Sequence, residues 1–366
     1  MNDKTISLIR SVFCKDGKIA LETEKTDDMQ YAFYLEHKNG IEKKFYSEES
    51  QLKFDIPFIK GNYKATFFYK YGRDRVSYTK LFSINNLGEV IEVIETSIAV
   101  TDDWKIDYYN VNSQTTFIVF NAAGSTLTDK PFGLDYLLLK GFNVIACLQN
   151  DNHYQELDFN TFKTLVEPFT KDKEVFLYGS SVGGYCALYF AGAVNGTVIS
   201  AAPRNPAHPE LINRFSSEFG SNTVIYRHRN MKDNPKTNKS IYVIYDPFVE
   251  VDVFYINTLV KPTYPNINLI ESKYAGHQVL YHLNKTNQLA SLVEAIVYGR
   301  EEDIYIDESK ESCFTDAGKA DYNFKLGAYE KALYYVERAL TSGEKSLTKS
   351  HRKEIMDIYS QLKEKE

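Results

Sequence analysis

The sequence predicts an α/β architecture: a parallel-type sheet with helices on both faces, preceded by an N-terminal β-sandwich and followed by a helical tail. Three observations predict it. Short aromatic-rich runs broken by turn signals fill the first part of the chain. Apolar strand-like runs then alternate with helix-like ones. The last sixty or so residues turn charged and helical in pattern. The expected domains are 1–86 for the sandwich, 87–300 for the α/β domain and 301–366 for the tail.

The N-terminal strands are expected at Ile19–Thr23, Met29–His37, Lys43–Tyr46, Leu52–Ile56, Tyr63–Tyr71 and Arg75–Ile84. Lys38-Asn39-Gly40, Lys60-Gly61-Asn62 and Tyr71-Gly72-Arg73 mark the turns between them. Short strands at such spacing suit a sandwich. Asn85-Asn86-Leu87-Gly88 reads as the junction. Beyond it, strands are expected at Thr115–Phe120, Asn143–Leu148, Val175–Tyr178, Thr197–Ala201, Ile241–Tyr245 and Ile267–Ile270. Helices fit Gly133–Lys140, Phe159–Thr170, Gly184–Ala193, Val253–Val260 and Gln278–Tyr298. In the tail, Gly327-Ala328-Tyr329-Glu330-Lys331-Ala332 and Ala339-Leu340 match the second half of a tetratricopeptide unit, with Ala317 and Ala320 on the preceding helix. A third helix is expected at Lys349–Lys363. One repeat does not stack into a solenoid. The tail therefore reads as a hairpin docked on the α/β domain, with a partner-binding arm as the alternative.

Composition excludes several classes. A net charge of −6 over 366 residues leaves no nucleic-acid footprint. The 28 tyrosines suit half-buried β surface and equally suit faces on which sugars stack. Cys14, Cys147, Cys186 and Cys313 are scattered without a C-x-x-C pair, so neither a metal site nor a disulfide framework is expected. That usage suits a reducing, cytoplasmic setting. The N-terminal residues carry no secretory h-region, and no run is long and apolar enough for a membrane span.

The chemistry centres on Val175-Phe-Leu-Tyr178 running into Gly179-Ser180-Ser181-Val182-Gly183 and then a small-residue helix. Strand, G-x-S-x-G, helix puts Ser181 on a strained turn with its hydroxyl exposed, and the N–H of Val182 beside it. A serine hydroxyl is a poor nucleophile until a base accepts its proton and a carboxylate fixes that base. Such elbows take their partners in the chain order serine, acid, histidine. His277 follows the last strand and is the expected base, with Gly276 easing a turn beside it. His282 is the runner-up. His208 and His228 precede the expected acid, and His351 lies in the tail. The acid follows the Ile241–Tyr245 strand. Loop position favours Asp252, with Asp246 the alternative and Glu250 third. The loop Asn121-Ala122-Ala123-Gly124-Ser125 is expected to supply the other oxyanion N–H, from Ala122 or Ala123. Asn150 to Gln155 should face the carboxyl edge of the sheet, where ligands bind, so His153 and Tyr154 are substrate candidates. Arg204, Arg227, His228 and Arg229 lie between the Thr197 and Ile241 strands; Arg204 is the basic residue taken as a substrate contact.

Residues 90–300 resemble the α/β-hydrolase superfamily, on the elbow, the Asn121–Ser125 loop and the ordered Asp252/His277 pair. The loop stands where lipases carry an HGGG-type run, and the resemblance implies a cap over the site from Pro203 to Lys239. The run YGSSVGGYCALYFAG followed by VISAAPRNP resembles serine hydrolases of capsule and surface-glycan biosynthesis and the polysaccharide O-acetyltransferases of this fold. The NDNHYQ segment is similar to theirs. The resemblance implies a serine esterase or O-acyltransferase acting on a carbohydrate or polysaccharide, with acetyl-CoA as donor if it transfers. A different class of reading is an interaction protein, in which the sandwich or the helical tail grips a glycan-synthesis or secretion partner.

Overall fold

The computed structural model describes residues 10–343 and 346–364. Residues 1–9, part of the segment expected to carry no secretory h-region, and 344–345 and 365–366 of the expected tail lie outside the described residues. The chain forms two compact units. One takes the residues up to Ile98, Asp107–Thr116 and Gly133–Ile145. The other takes Ala99–Ile106, Phe117–Phe132 and everything from Ala146 on.

The first unit is built on β1 (Arg10–Lys15), β2 (Lys18–Thr23), β3 (Met29–His37), β4 (Gly40–Ser47), β5 (Gln51–Pro57), β6 (Gly61–Tyr71), β7 (Asp74–Ile84) and β8 (Val90–Val100). A three-stranded sheet has the order β1-β2-β5. Antiparallel pairing joins β8, β7, β6, β3 and β4 in that order. Alternate residues of β6, Tyr63, Ala65, Phe67 and Tyr69, are buried, as the two-residue period of a strand requires. They meet Ile19, Leu21, Tyr31, Phe33, Phe54 and Ile56 from both sheets in one core. Tyr63 stacks on Phe82 at 5.1 Å and Phe33 meets Phe67 edge-on at 5.6 Å. Asn85–Gly88, expected as the junction, is the turn joining β7 to β8. The Asn85 side chain accepts from the N–H groups of Leu87 and Glu89 there. The first strand expected after that turn is Thr115–Phe120, yet β8 and then β9 (Trp104–Asn110) lie between them. β8 alternates only weakly, with most of its side chains exposed, which hides it from a periodicity reading.

β10 (Thr115–Phe120), α1 (Leu134–Leu139) and β11 (Asn143–Gln149) follow. The second unit continues with α2 (Phe159–Thr170), β12 (Glu174–Ser180), α3 (Val182–Val194) and β13 (Thr197–Ala201). Next come α4 (Pro209–Arg214), α5 (Ser216–Phe219), β14 (Ile241–Tyr245) and α6 (Glu250–Tyr255). A π turn, Ile256–Val260, links α6 to α7 (Lys261–Thr263), and β15 (Asn268–Glu271) follows. Strand order in this unit is β15-β14-β13-β12-β10-β11, with β12 to β15 paired in parallel. α3 is apolar all round and almost wholly buried, the pattern of a helix with no solvent face. Phe190 packs 4.3 Å from Phe162 of α2 and stacks on Phe120 of β10. The expected long helix Gln278–Tyr298 is two, α8 (Val279–Lys285) and α9 (Leu289–Val297). Asn287 in the left-handed region, φ 57°, breaks it.

The chain ends in α10 (Cys313–Lys325), α11 (Tyr329–Gly343) and α12 (Lys349–Lys363). Ser312 and Thr315 form a capping box at the start of α10. Fully buried Ala320, Ala332, Val336 and Ala339 let these helices approach closely, and Ile355 and Leu362 close the same core. No helix among the described residues is long and apolar enough to cross a membrane.

Candidate functional site

Ser181 sits between β12 and α3 with φ 56° and ψ −119°, a conformation L-residues avoid. The neighbouring glycines explain how the turn is tolerated. A Cβ on Gly179 would lie 2.4 Å from the carbonyl of Gly183. One on Gly183 would lie 2.3 Å from the Phe120 oxygen, and one on Gly184 2.8 Å from Ser200 Oγ. The turn is thus pressed between β10, β13 and its own helix. The Ser181 N–H donates to Ala201 O at 2.9 Å, which ties it to β13.

His277 and Asp252 meet Ser181 at this edge. His277 Nε2 lies 3.0 Å from Ser181 Oγ, and Nδ1 lies 2.8 Å and 3.0 Å from the two Asp252 oxygens. Asp252 is fully buried in the first turn of α6. A carboxylate on Nδ1 fixes the neutral tautomer with its proton there, leaving Nε2 free to accept from the serine hydroxyl. The arrangement can therefore deprotonate Ser181 as it attacks and hold the imidazolium that results.

Asp246, the alternative acid, does not touch His277 by any hydrogen bond in the described structure. Its Oδ2 accepts from the Gly276 N–H at 2.7 Å and its Oδ1 from the Phe248 N–H at 3.0 Å. Burial pushes this carboxyl above its usual range, against the pull of backbone N–H groups of Phe248, Gly276 and Tyr274. Asp246 anchors the loop on which His277 rides.

The loop after β10 borders the start of α3, since Gly183 abuts the carbonyls of Phe120 and Asn121. Ala122 O accepts from Ser125 Oγ at 2.8 Å and Gln149 Nε2 at 2.9 Å, and the Gly124 N–H donates to Asp151 at 2.7 Å. These bonds fix the loop without using the N–H groups of Ala122 or Ala123. Val182 is the first residue of α3, so its N–H has no partner within the helix. Among the described residues, the N–H groups of Ala122, Ala123 and Val182 make no hydrogen bond.

Three substrate candidates need correction. Tyr154 is fully buried: its hydroxyl donates to Cys147 O at 2.6 Å and accepts from the Asn121 N–H at 2.8 Å. It clamps the ends of β10 and β11 and offers nothing to a ligand. His153 is only 5 % exposed and donates its N–H to Gln149 Oε1 at 2.6 Å. Burial, opposed by the Asp151 carboxylate and Asn205, holds its imidazole below the usual range. Arg204 turns inward, 3.6 Å from Asp252 Oδ1 and 3.5 Å from Glu218, with its guanidinium 5.4 Å from the Phe219 ring centre. Two carboxylates already occupy its charge. The sequence places a basic residue here but does not say which acid it meets.

Three further histidines, His208, His228 and His282, are buried and already partnered. His228 is stacked on Tyr189 at 4.2 Å and bonded to Tyr185 and to the carbonyls of Tyr154 and Leu157. His228, Asn234 and Pro235 of the expected cap are therefore folded against α3; the Pro235 carbonyl fits only because Gly192 has no side chain. His208 caps α4, and His282 Nδ1 lies 2.9 Å from Ser312 Oγ. Burial lowers His208, His228 and His282 to about 4 each. No cluster of metal-ligating side chains is present among the described residues.

No protein-family model matches the sequence, and no curated protein matches it. Several solved structures are similar. Est1E from Butyrivibrio proteoclasticus shares 15% identity, covering 57% of this chain and 98% of its own, with a TM-score of 0.38. MGS-MChE2, an alpha/beta hydrolase enzyme from a sediment metagenome of the Mar Chica lagoon, shares 16% over 56% of this chain and 98% of its own, with a TM-score of 0.35. Dienelactone hydrolase from Anabaena variabilis shares 14% over 59% of this chain and 99% of its own, also at 0.35. At this level they are similar structures and nothing more.

Proposed function

We propose that the chain is a serine-dependent acyl-transfer enzyme of the α/β-hydrolase type. The observation that carries the reading is the unbroken hydrogen-bond chain from Ser181 through His277 to Asp252. Ser181 Oγ attacks an ester or thioester carbonyl while His277 Nε2 takes its proton. The oxyanion is held by the N–H groups of Val182 and of Ala122 or Ala123, each donor worth about 3–4 kcal/mol in such sites. His277 returns the proton to the leaving alcohol or thiol, and an acyl-Ser181 remains. Water then attacks in an esterase, or a sugar hydroxyl in a transferase, with His277 again as base.

The substrate we favour is an O-acylated carbohydrate of a surface or capsular polysaccharide, with acetyl-CoA as donor if the enzyme transfers. Resemblance of the elbow and NDNHYQ runs to such enzymes supports this part. The four cysteines, three of them buried and none in a disulfide among the described residues, suit a cytoplasmic site of action. The test is p-nitrophenyl acetate turnover by wild type and Ser181→Ala, with and without acceptor polysaccharide. Release that depends on Ser181 is the expected result, and faster release with glycan marks a transferase. No release and no labelling by a fluorophosphonate overturns the reading in favour of an interaction protein.

A further inference from the structure

We infer that the helical tail positions the catalytic histidine, with Tyr322 of α10 as the positioning residue; this rests on the reading of Ser181, His277 and Asp252 as the reacting groups. The loop that carries His277 does not define its own path. Tyr274 and Gly276 both have positive φ, 63° and 71°, and an aromatic residue does not hold that region unaided. The restraint comes from outside the loop.

Part of it is the Asp246 carboxylate on the Gly276 N–H. The rest is α10. Gly318 lies so close that a Cβ there would stand 2.0 Å from the Tyr274 carbonyl oxygen. The Tyr274 ring is stacked on Phe248 at 4.5 Å and met edge-on by Tyr322 at 5.4 Å, while Tyr322 also lies 4.7 Å from Phe248. Phe248 belongs to the loop between Asp246 and Asp252. One tail side chain therefore touches both the loop of the base and the loop of the acid. Aromatic groups at such separations attract beyond the area they bury. The start of α10 is fastened to α8, just beyond His277, by Ser312 on His282 and by Phe314 beside Tyr281 at 5.7 Å. Before the loop, Lys273 pairs with Glu308 at 2.9 Å. The His277 loop is thus gripped before, within and after its turn by residues 308 to 322.

The test uses the full chain. Tyr322→Ala removes the shared ring, and Gly318→Val pushes α10 off the Tyr274 carbonyl. Both are expected to lower kcat and the rate of fluorophosphonate labelling of Ser181 by about tenfold or more, with KM changed far less, since misplacing a catalytic group slows the chemical step. Tyr322→Phe keeps the ring and should restore wild-type rates. Met356→Gln, on the exposed side of α12, should change neither rate and excludes a general effect of damaging the tail. Folding is checked by circular dichroism and Tm. If Tyr322→Ala does not fold, Tyr322→Leu takes its place. Folded Tyr322 and Gly318 variants that label at the wild-type rate overturn the inference alone. A wild-type protein that never labels overturns the reading of Ser181 and the inference together.

Discussion

The turn around Ser181 and the loop around His277 stand at the same sheet edge, yet they are held in opposite ways. The turn around Ser181 is held by absence: Gly179, Gly183 and Gly184 let backbone meet backbone, and any side chain there would collide within 3 Å. The loop around His277 is held by presence, by the Asp246 carboxylate and by rings from two other segments. A close-packed turn is rigid because nothing in it can move independently. A braced loop is only as rigid as its braces. The difference teaches that damage to the first should cost stability and activity together, and damage to the second should cost activity first.

On the proposed reading, the largest effects come from Ser181 and Asp252 themselves rather than from the packing that holds the turn and the loop. Ser181→Ala should abolish turnover above background, a loss of about 10⁴-fold or more, and Asp252→Asn should cost on the order of 10³–10⁴ by letting His277 adopt the wrong tautomer. Single-turnover kinetics read both. Gly183→Ala tests the packed turn. It should lower stability by about 1–3 kcal/mol, as overpacking does, and lose activity with it, read by urea unfolding and turnover on the same sample. Asp246→Ala tests the braced loop. Turnover should fall about 10–100-fold because the Gly276 N–H loses its acceptor, with the larger effect on kcat. If Gly183→Ala proves harmless while Asp246→Ala unfolds the protein, the comparison is reversed.

Arg204→Met gives a smaller, sharper test. The guanidinium lies 3.6 Å from Asp252 Oδ1 and 3.5 Å from Glu218. Removing it leaves the fully buried Asp252 with one ion partner fewer, and turnover should fall by about tenfold or less. A further effect is on stability. His208, His228 and His282 are held at about 4, below the ordinary 6.5, because burial disfavours their charged forms. The unfolded chain therefore binds protons first as pH falls. Stability is complete above pH 6.5 and declines as pH drops towards 4. Urea midpoints at pH 7 and pH 5 should show this, and His228→Phe should flatten the slope.

The same contrast decides what was legible. The elbow is written in contiguous residues: an apolar strand, three glycines around two serines, a small-residue helix. The strands β10 to β15 and helix α2 announce themselves by local apolar pattern, and chain order with loop position favours Asp252 and His277 while leaving Asp246 and His282 as alternatives. What escaped is set by tertiary contact. Tyr154 and Arg204 look like surface polar residues until their partners, the Cys147 carbonyl and the Asp252 carboxylate, are seen. Asp246 and Asp252 are both buried beside the same loop, and only geometry separates the anchor from the histidine's partner. Gly318 carried a faint signal, since an isolated glycine inside a helix has a packing reason when it has any. β8 carried none, because its exposed faces alternate with nothing.

The interleaving of the two compact units has a consequence for the order in which the chain acquires its structure. The first unit draws on Asp107–Thr116 and Gly133–Ile145 as well as on the opening residues, so it is incomplete until Ile145 has left the ribosome. The aromatic core of its two sheets draws only on residues 12–84, so that core has its partners before the later segments emerge, at roughly 5–20 residues per second. A nascent chain stalled well past Ile145 should therefore resist protease in its N-terminal part, and one stalled with residues only up to Ile84 outside the ribosome should already hold the sheet core.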